Sequence, residues 1–498
     1  ELLHLELETE KEVLIARGRM VSALNYAVEQ GKQVYVVSDM YLPAEILNGI
    51  LSGLGIAGYK KLFVSCEYHK NKVTGLYQVF KEYAKGTSYL HVGDNYYADC
   101  VYSEQNGLDS FYIKKASEML PISGYAPIQC YTSNINERTV VGLFVSAALN
   151  NPFCLHGTDG RVKVDDIYSL GYMFVGPLIT KFIVWLAGQM RKSDYDEILF
   201  SARDGYLIQR LYDRYLEKHG IGDAPKGIYF RSSRHAAVCA SMRTEEDIRW
   251  ISLPYFSTPE AMIHESFDLP MDEVLPYESE RYPDMVSYGL AHKDKIYENS
   301  KMLAKRYLAY MDRLGLKEHK KYVLFDFVSS GTCHYSLNKI VPFKLEAMYV
   351  CNYDCMKPEW RELPSRAMFI QNRVVPDNTY GSYIPDNYFY YNYLFLETVI
   401  TSLECTLTGF TEEGEPVYGK ETRTPEELQF VQEMQRGIED FFENYTDLEV
   451  GGAPVDTVLV DRIYSMKDLR YTDECCKILD DFSLREDMIH GSIPLPRR

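Results

Sequence analysis

Residues 33–114 alternate between short apolar runs and amphipathic segments. The runs Gln33-Val-Tyr-Val-Val37 and Tyr89-Leu-His-Val92 are short, apolar and followed by polar turn residues, which is typical of buried parallel strands. The alternation predicts a parallel sheet with helices between its strands. The predicted elements are a strand to Ser38, helix 43–53, strand 61–65, helix 74–85, strand 89–92, helix 97–106 and strand 110–114.

The rest of the chain divides into a helical start and a larger second domain. Residues 1–30 repeat apolar positions at three- and four-residue steps, which predicts helix. Residues 116–135 contain turn formers without a sustained period and are the predicted linker. From residue 136 to 498 two strand-loop-helix patterns, at 196–218 and 321–340, predict a second α/β domain with a helical C-terminal part. The predicted fold class is therefore α/β, with a partial Rossmann-like parallel sheet in the first domain.

The most apolar window of the chain is residues 169–188. Pro177 and Lys181 interrupt it, and Arg191, Lys192 and Asp194 return the chain at once to a polar surface. We expect a buried core helix and no transmembrane segment. A peripheral membrane contact is the alternative.

The net charge and the cysteine spacing argue against some classes of function. The formal net charge of -18 argues against nonspecific nucleic-acid binding, which needs a basic face. The eleven cysteines contain no pair of Cys-x-x-Cys units, so a structural zinc site is not expected. A dispersed, odd set of cysteines suits a reducing compartment, which predicts a cytoplasmic location. The oligomeric state is left open.

Polar residues follow the predicted strands of the first domain. Ser38 and Asp39 come directly after one strand, Asp94 and Asp99 follow another, and Lys72 precedes a helix. Ligands of open α/β sheets bind beyond the carboxyl ends of the strands. A hydroxyl, an ammonium and carboxylates gathered there predict a phosphate site with a metal ion, and carboxylates suit Mg²⁺. For Asp39 a helix-capping role is the alternative.

At these residues the chain resembles the haloacid dehalogenase-like phosphohydrolases. The second motif of that superfamily is matched by Ser38, the third by Lys72, and the fourth by Gly93-Asp94 with Asp99. The sequence Val37-Ser-Asp-Met-Tyr-Leu-Pro43 is similar to the corresponding segment of a branch of this superfamily that is associated with bacterial surface polysaccharides. The resemblance covers residues 1–115, about a quarter of the chain. It implies catalytic roles for Ser38 and Lys72, Mg²⁺ on Asp94 and Asp99, and a sugar phosphate or nucleotide sugar as substrate.

The first motif of the superfamily, Asp-x-Asp, is not found in residues 1–32. It supplies the nucleophilic aspartate. We interpret residues 1–30 as the end of a helical cap, and residues 31–115 as the core of a truncated domain whose first strand lay upstream. The alternative is a degenerate domain without a nucleophile.

The second domain has its own candidate anion-binding residues. Arg203 and Asp204 follow one predicted strand, and they are either a sugar- or phosphate-binding pair or an ion pair at a turn. Asp326 with Ser330, Gly331 and Thr332 follows another predicted strand. The second set resembles the diphosphoribose-binding loop of type I phosphoribosyltransferases, except that Phe327 stands where that family usually has a second acid. Small loop residues let backbone N–H groups approach an anion.

Three functions compete. The first is a Mg²⁺-dependent phosphohydrolase in surface-glycan biosynthesis. The second is a glycan-assembly or phosphoribosyltransferase-like module whose active part is the second domain. The third is a non-catalytic binding scaffold.

Overall fold

The computed structural model describes residues 2–251, 258–329, 331–353, 362–371, 388–451, 453–467, 469–481, 484–486 and 489–493. Its contacts divide the chain into two compact units. The first unit comprises 1–132, 141–164 and 467–471, and the second unit comprises 133–140, 165–466 and 472–498. The division after residue 132 lies inside the predicted linker, 116–135. Residues 141–164 and 467–471, predicted as part of the second domain, belong to the first unit.

From Leu2 to Val164 the elements follow the predicted alternation. They are α1 (Leu2–Val13), α2 (Gly18–Glu29), β1 (Val36–Ser38), α3 (Ala44–Gly53), β2 (Leu62–Val64), α4 (Ser65–Tyr68), α5 (Leu76–Ala84), β3 (Leu90–Gly93), a π-helical segment (Tyr96–Val101), α6 (Tyr102–Gln105), β4 (Asp109–Tyr112), α7 (Ala116–Met119), 3-10 turns at Leu120–Ile122 and Ala126–Cys130, α8 (Ile135–Ala148) and β5 (Val162–Val164). Every predicted strand and helix between residues 33 and 114 is present. The predicted N-terminal helix is two helices, and the predicted linker contains short helical turns that bury Met119, Leu120 and Ile128.

The strands of the first unit pair in parallel, as the α/β prediction requires. β1 pairs with β2, and β3 pairs with β4. These are two separate two-stranded ladders, because β1 and β3 are not hydrogen-bonded to each other. The core between the helices and strands is aromatic and contains Phe63, Tyr77 and Phe80.

The second unit is larger. Its elements are α9 (Ile167–Leu170), a π-helical segment (Gly171–Val175), α10 (Gly176–Met190), β6 (Glu197–Ser201), α11 (Gly205–Lys218), β7 (Lys226–Phe230), α12 (Arg234–Ala240), α13 (Glu245–Ile251), α14 (Pro259–Phe267), a 3-10 turn (Met271–Glu273), α15 (Met285–Ala291), α16 (Lys293–Arg313), β8 (Tyr322–Ser329), α17 (Thr332–Asn338), β9 (Glu346–Tyr353), β10 (Ser365–Gln371), α18 (Tyr388–Tyr391), α19 (Tyr393–Ile400), β11 (Leu407–Phe410), β12 (Pro416–Tyr418), α20 (Pro425–Leu448), α21 (Thr457–Tyr464), α22 (Asp473–Asp481), β14 (Leu484–Glu486) and β15 (Ile489–Ile493); β13 (Leu469–Tyr471) pairs with β5 in the first unit.

A five-stranded parallel sheet in the order β10-β9-β8-β6-β7 organises the second unit. Its two faces are both covered, as expected for a parallel sheet. Leu199 and Leu324 pack in the core that contains residues of α12, α16 and α17. The Phe200 and Phe325 rings contact each other on the opposite face, where the Phe182 ring of α10 contacts Phe325 at 5.6 Å between centroids. The unit is thus a three-layer α/β/α structure.

The predicted apolar core helix is also present. Residues Ile167–Met190 are long and apolar enough to cross a membrane by length and composition, and 83% of their most apolar window is buried inside the protein. The helix packs against α20, where Gly437 brings the two backbones close together. Burial at this level is typical of the core helix of a globular unit.

Candidate functional site

The first site is built where β1 and β3 end. Ser38 is the last residue of β1, in register with Val64 of β2, and Gly93 is the last residue of β3, in register with Tyr112 of β4. The loop after β1 is fixed by Ser65, whose Oγ accepts a hydrogen bond from the Met40 N–H at 2.9 Å. The loop after β1 is therefore anchored to the first residue of α4.

Lys72 and Asp99 form the centre of this site. The Nζ atom of Lys72 lies 2.5 Å from Oδ1 of Asp99, and both side chains are nearly buried, with 13% and 4% of their surfaces exposed. His91 Nε2 lies 3.1 Å from the same carboxylate oxygen, and the Asn95 N–H donates to Oδ2 at 2.9 Å. The Asp99 carboxylate is thus surrounded by donors on both oxygens.

These donors change the acidity of Asp99. Burial by itself would raise the pKa of this carboxyl group, but hydrogen bonds from His91 and Lys72 together with the Lys72 charge hold the pKa well below its usual range. Asp99 therefore stays ionised and holds the Lys72 ammonium in place. A fixed ammonium at the ends of two strands suits an incoming phosphoryl group.

The other predicted residues of the first unit lie around this pair. Oδ1 of Asp39 accepts a hydrogen bond from the Lys72 backbone N–H at 2.8 Å, so Asp39 fixes the loop that contains Lys72. Ser38 and Asp94 are half-buried, and neither side chain makes a hydrogen bond or ion pair with the residues that the structure describes. Both are available to a ligand.

A magnesium ion fits this site only in part. Asp94 is an available carboxylate, whereas both oxygens of Asp99 are already occupied by Lys72, His91 and Asn95. Among the described residues, no group of three or more His, Cys, Asp or Glu side chains is placed to hold a metal. Mg²⁺ is often bound through one or two carboxylates with waters and substrate phosphates, so Asp94 would be its ligand here.

His91 is the residue that sequence reasoning missed. It lies on β3 two residues before Gly93, so the two face the same side of the ladder. Its ring packs edge-on against Tyr77, at 5.2 Å between centroids, and one ring nitrogen contacts Asp99. The sequence feature that could have identified His91 is a titratable side chain within an otherwise apolar predicted strand.

In the second unit, the strand order places the predicted residues at one edge of the sheet. After β6 the chain continues to its neighbour β7, and it then returns to the other side of β6 to form β8. The order of the strands reverses between β6 and β8, which is where open α/β sheets bind ligands. Arg203 and Asp204 follow β6 at this point, and Gly331 and Thr332 follow β8.

The side chains at this reversal point differ in their surroundings. Arg203 is half-buried, and its guanidinium makes no hydrogen bond or ion pair within the described part of the chain. Next to it, the buried hydroxyls of Ser201 and Ser232 contact each other at 2.7 Å. Arg231, beyond the end of β7, is engaged by Glu404 at 3.0 Å and by the Tyr418 hydroxyl at 2.6 Å.

The predicted anion-binding residues near the end of β8 are Asp326, Ser330, Gly331 and Thr332. Asp326 does not end its strand as expected, because the apolar alternation continues through buried Phe327 and β8 extends to Ser329. Gly331 adopts a positive φ of 90° before α17, and Thr332 begins that helix. Ser330 lies outside the residues that the structure describes.

A comparison of the chain with protein-family models found no matching family, and a comparison with curated proteins found no matching relative.

Proposed function

We propose that the first unit is the phosphate-binding part of a magnesium-dependent phosphohydrolase that acts on a phosphorylated sugar or a related metabolite. The main support is the buried contact between Lys72 and Asp99, which places an ammonium group where β1 and β3 end. Three more groups around it suit the same chemistry. The Ser38 hydroxyl can donate to a phosphoryl oxygen, Asp94 can bind a cation, and Asp39 fixes the Lys72 loop.

Each side chain has a separate role in this proposal. Lys72 neutralises the phosphate charge, and Asp99 positions Lys72 rather than binding the metal. Bound at Asp94, Mg²⁺ would stabilise further negative charge on the phosphoryl oxygens. The mechanism that the resemblance to haloacid dehalogenase-like phosphohydrolases implies also uses a carboxylate nucleophile. β1 and β3 each pair with one strand among the described residues, so one edge of each is free to bind a further parallel strand that supplies it.

Calorimetric titration of inorganic phosphate in the presence of Mg²⁺ tests the proposal. Lys72→Met should weaken phosphate binding about tenfold or more, because the loss of a charged hydrogen bond costs about 1.5–3 kcal/mol. Lys70→Met is the matched control, since Lys70 is exposed and two residues away. Asp94→Asn should reduce the dependence of phosphate binding on Mg²⁺. Phosphate binding that is equal in the wild type and in Lys72→Met contradicts the proposal.

The reversal of strand order in the second unit favours a second candidate function, an anion-binding transferase-like module. The Arg203 guanidinium lies beside the reversal point and has no ion-pair partner among the described residues, so it would bind a phosphate of a nucleotide sugar or sugar phosphate in bidentate fashion. Arg203→Ala should weaken binding of a nucleotide sugar without changing the melting temperature. Arg214→Ala, which removes an arginine paired with Glu443 on the surface, is the control. A large fall in melting temperature in Arg203→Ala would instead make Arg203 structural.

A further inference from the structure

Two exposed tyrosines follow the phosphate-site residues directly. Tyr96 and Tyr97 come two and three residues after Asp94, and 57% and 70% of their surfaces are exposed. Burying an aromatic ring contributes strongly to stability, and here neither ring is buried. Exposed rings next to a binding site are available to a ligand.

The positions of the two rings are fixed. The Tyr96 ring packs edge-on against Tyr97 at 5.7 Å and against Tyr112 at 5.9 Å between centroids. The Tyr112 hydroxyl in turn donates to Glu118 at 2.8 Å. The three rings therefore form a tyrosine cluster whose inner member is anchored and whose outer members, Tyr96 and Tyr97, face solvent.

The same turn positions the tyrosines and the phosphate site. The Asn95 N–H donates to Asp99, and the Asn95 side chain accepts a hydrogen bond from the Ala98 N–H at 3.1 Å, so hydrogen bonds on both sides hold the segment that contains Tyr96 and Tyr97. Asp94 also lies within electrostatic reach of the cluster. The hydrogen bond to Glu118, then burial, then the charges of Glu118 and Asp94 raise the pKa of Tyr112 to about 12.

We propose that Tyr96 and Tyr97 form a stacking surface for the ring of a phosphate ester whose phosphate is bound by Lys72 and by a Mg²⁺ ion at Asp94. This inference rests on the proposed phosphate site and specifies its substrate class: an ester with a cyclic organic group that presents a flat face. A sugar ring and a nucleobase share this property, since each can stack on a tyrosine. An acyclic ester has no such face.

Calorimetric titration of the full chain with Mg²⁺ and four ligands tests the inference. The ligands are inorganic phosphate, glycerol 3-phosphate, a hexose 1-phosphate and a nucleoside 5′-monophosphate. At least one cyclic ester should bind about tenfold tighter than inorganic phosphate, because stacking of a ring on an aromatic side chain contributes about 1–3 kcal/mol. Whichever cyclic ester binds tighter identifies the type of ring.

Variants of Tyr97 separate stacking from folding. Tyr97→Ala should remove the advantage of the cyclic ester and leave binding of inorganic phosphate unchanged, whereas Tyr97→Phe should keep that advantage because it retains the ring. Tyr26→Ala is the control, since Tyr26 is 63% exposed on α2. Near-ultraviolet circular dichroism checks that each variant is folded.

Every other outcome of these titrations contradicts the stacking surface, the phosphate site or both. If inorganic phosphate binds but the cyclic esters bind no tighter, or if Tyr97→Ala weakens all four ligands equally, the stacking surface is wrong and the phosphate site stands. If inorganic phosphate does not bind while a cyclic ester does, in a way that depends on Tyr97, the phosphate site is wrong and the stacking surface stands. If no ligand binds, both are wrong.

Discussion

The Lys72 ammonium lies 2.5 Å from the Asp99 carboxylate although the two residues are 27 positions apart in the chain. The contact joins the loop between α4 and α5 to the segment after β3, so it connects the β1-β2 ladder with the β3-β4 ladder. Because both side chains are nearly buried, this ion pair holds the loops together and also keeps an ammonium group at the site.

Asp99→Asn should lower the free energy of unfolding by about 3 kcal/mol at neutral pH, because it leaves the buried Lys72 charge without its partner. The pKa of Asp99 is lowered in the folded protein, so its stabilisation is present above its ordinary value of 3.8 and is lost as the pH falls below that value. Urea unfolding of wild type and variant from pH 7 to about pH 2 measures this. Asp109→Asn, an exposed change, is the control, and equal stability of Asp99→Asn and wild type at pH 7 would contradict the prediction.

Gly93→Ala should disrupt the same contact from the opposite side. A methyl group at Gly93 would overlap the Asp99 side chain, so the carboxylate must move away from Lys72. We expect a loss of about 2 kcal/mol of stability, typical of overpacking, and weaker phosphate binding. Gly53→Ala is the matched control because nothing lies within 4 Å of the added methyl group. The two variants are compared by thermal unfolding and phosphate titration.

The 498-residue chain should not hydrolyse phosphate monoesters by itself, because the carboxylate nucleophile of the proposed reaction is not among its site residues. A colorimetric phosphatase assay with Mg²⁺ measures this. Turnover well above background that disappears in Asp94→Ala would show that this chain has its own nucleophile. Binding of phosphate without turnover is the expected combination.

Gly437→Ala should destabilise the second unit by about 2 kcal/mol, because a methyl group there would overlap the backbone of Tyr168 and Tyr172. Gly188→Ala, on α10 with no atom within 4 Å of the added methyl group, should instead be neutral or slightly stabilising, since alanine favours helix over glycine. Thermal unfolding distinguishes the two. The same loss in both variants would contradict close packing of α20 on the apolar helix.

The sequence alone determined the class and the local elements. Apolar runs such as 33–37 and 89–92 report the backbone preference of one segment, and the structure has strands at both places. The predicted burial of the second run is wrong, because Leu90 and Val92 of β3 are exposed. The polar residues at the strand ends could be found for the same reason. The helical C-terminal part predicted for the second domain is also present, and it includes α20, Pro425–Leu448.

Only the tertiary structure decided which distant groups meet. Asp99 was predicted as a metal ligand, but Lys72 and His91 contact its Oδ1 and the Asn95 N–H donates to its Oδ2. No local pattern encodes the contact with Lys72. The reversal of strand order beside Arg203 is likewise visible only once β8 is known to pair with β6. Periodicity describes how one segment is buried, whereas strand neighbours and ion-pair partners depend on how segments far apart in the chain pack together.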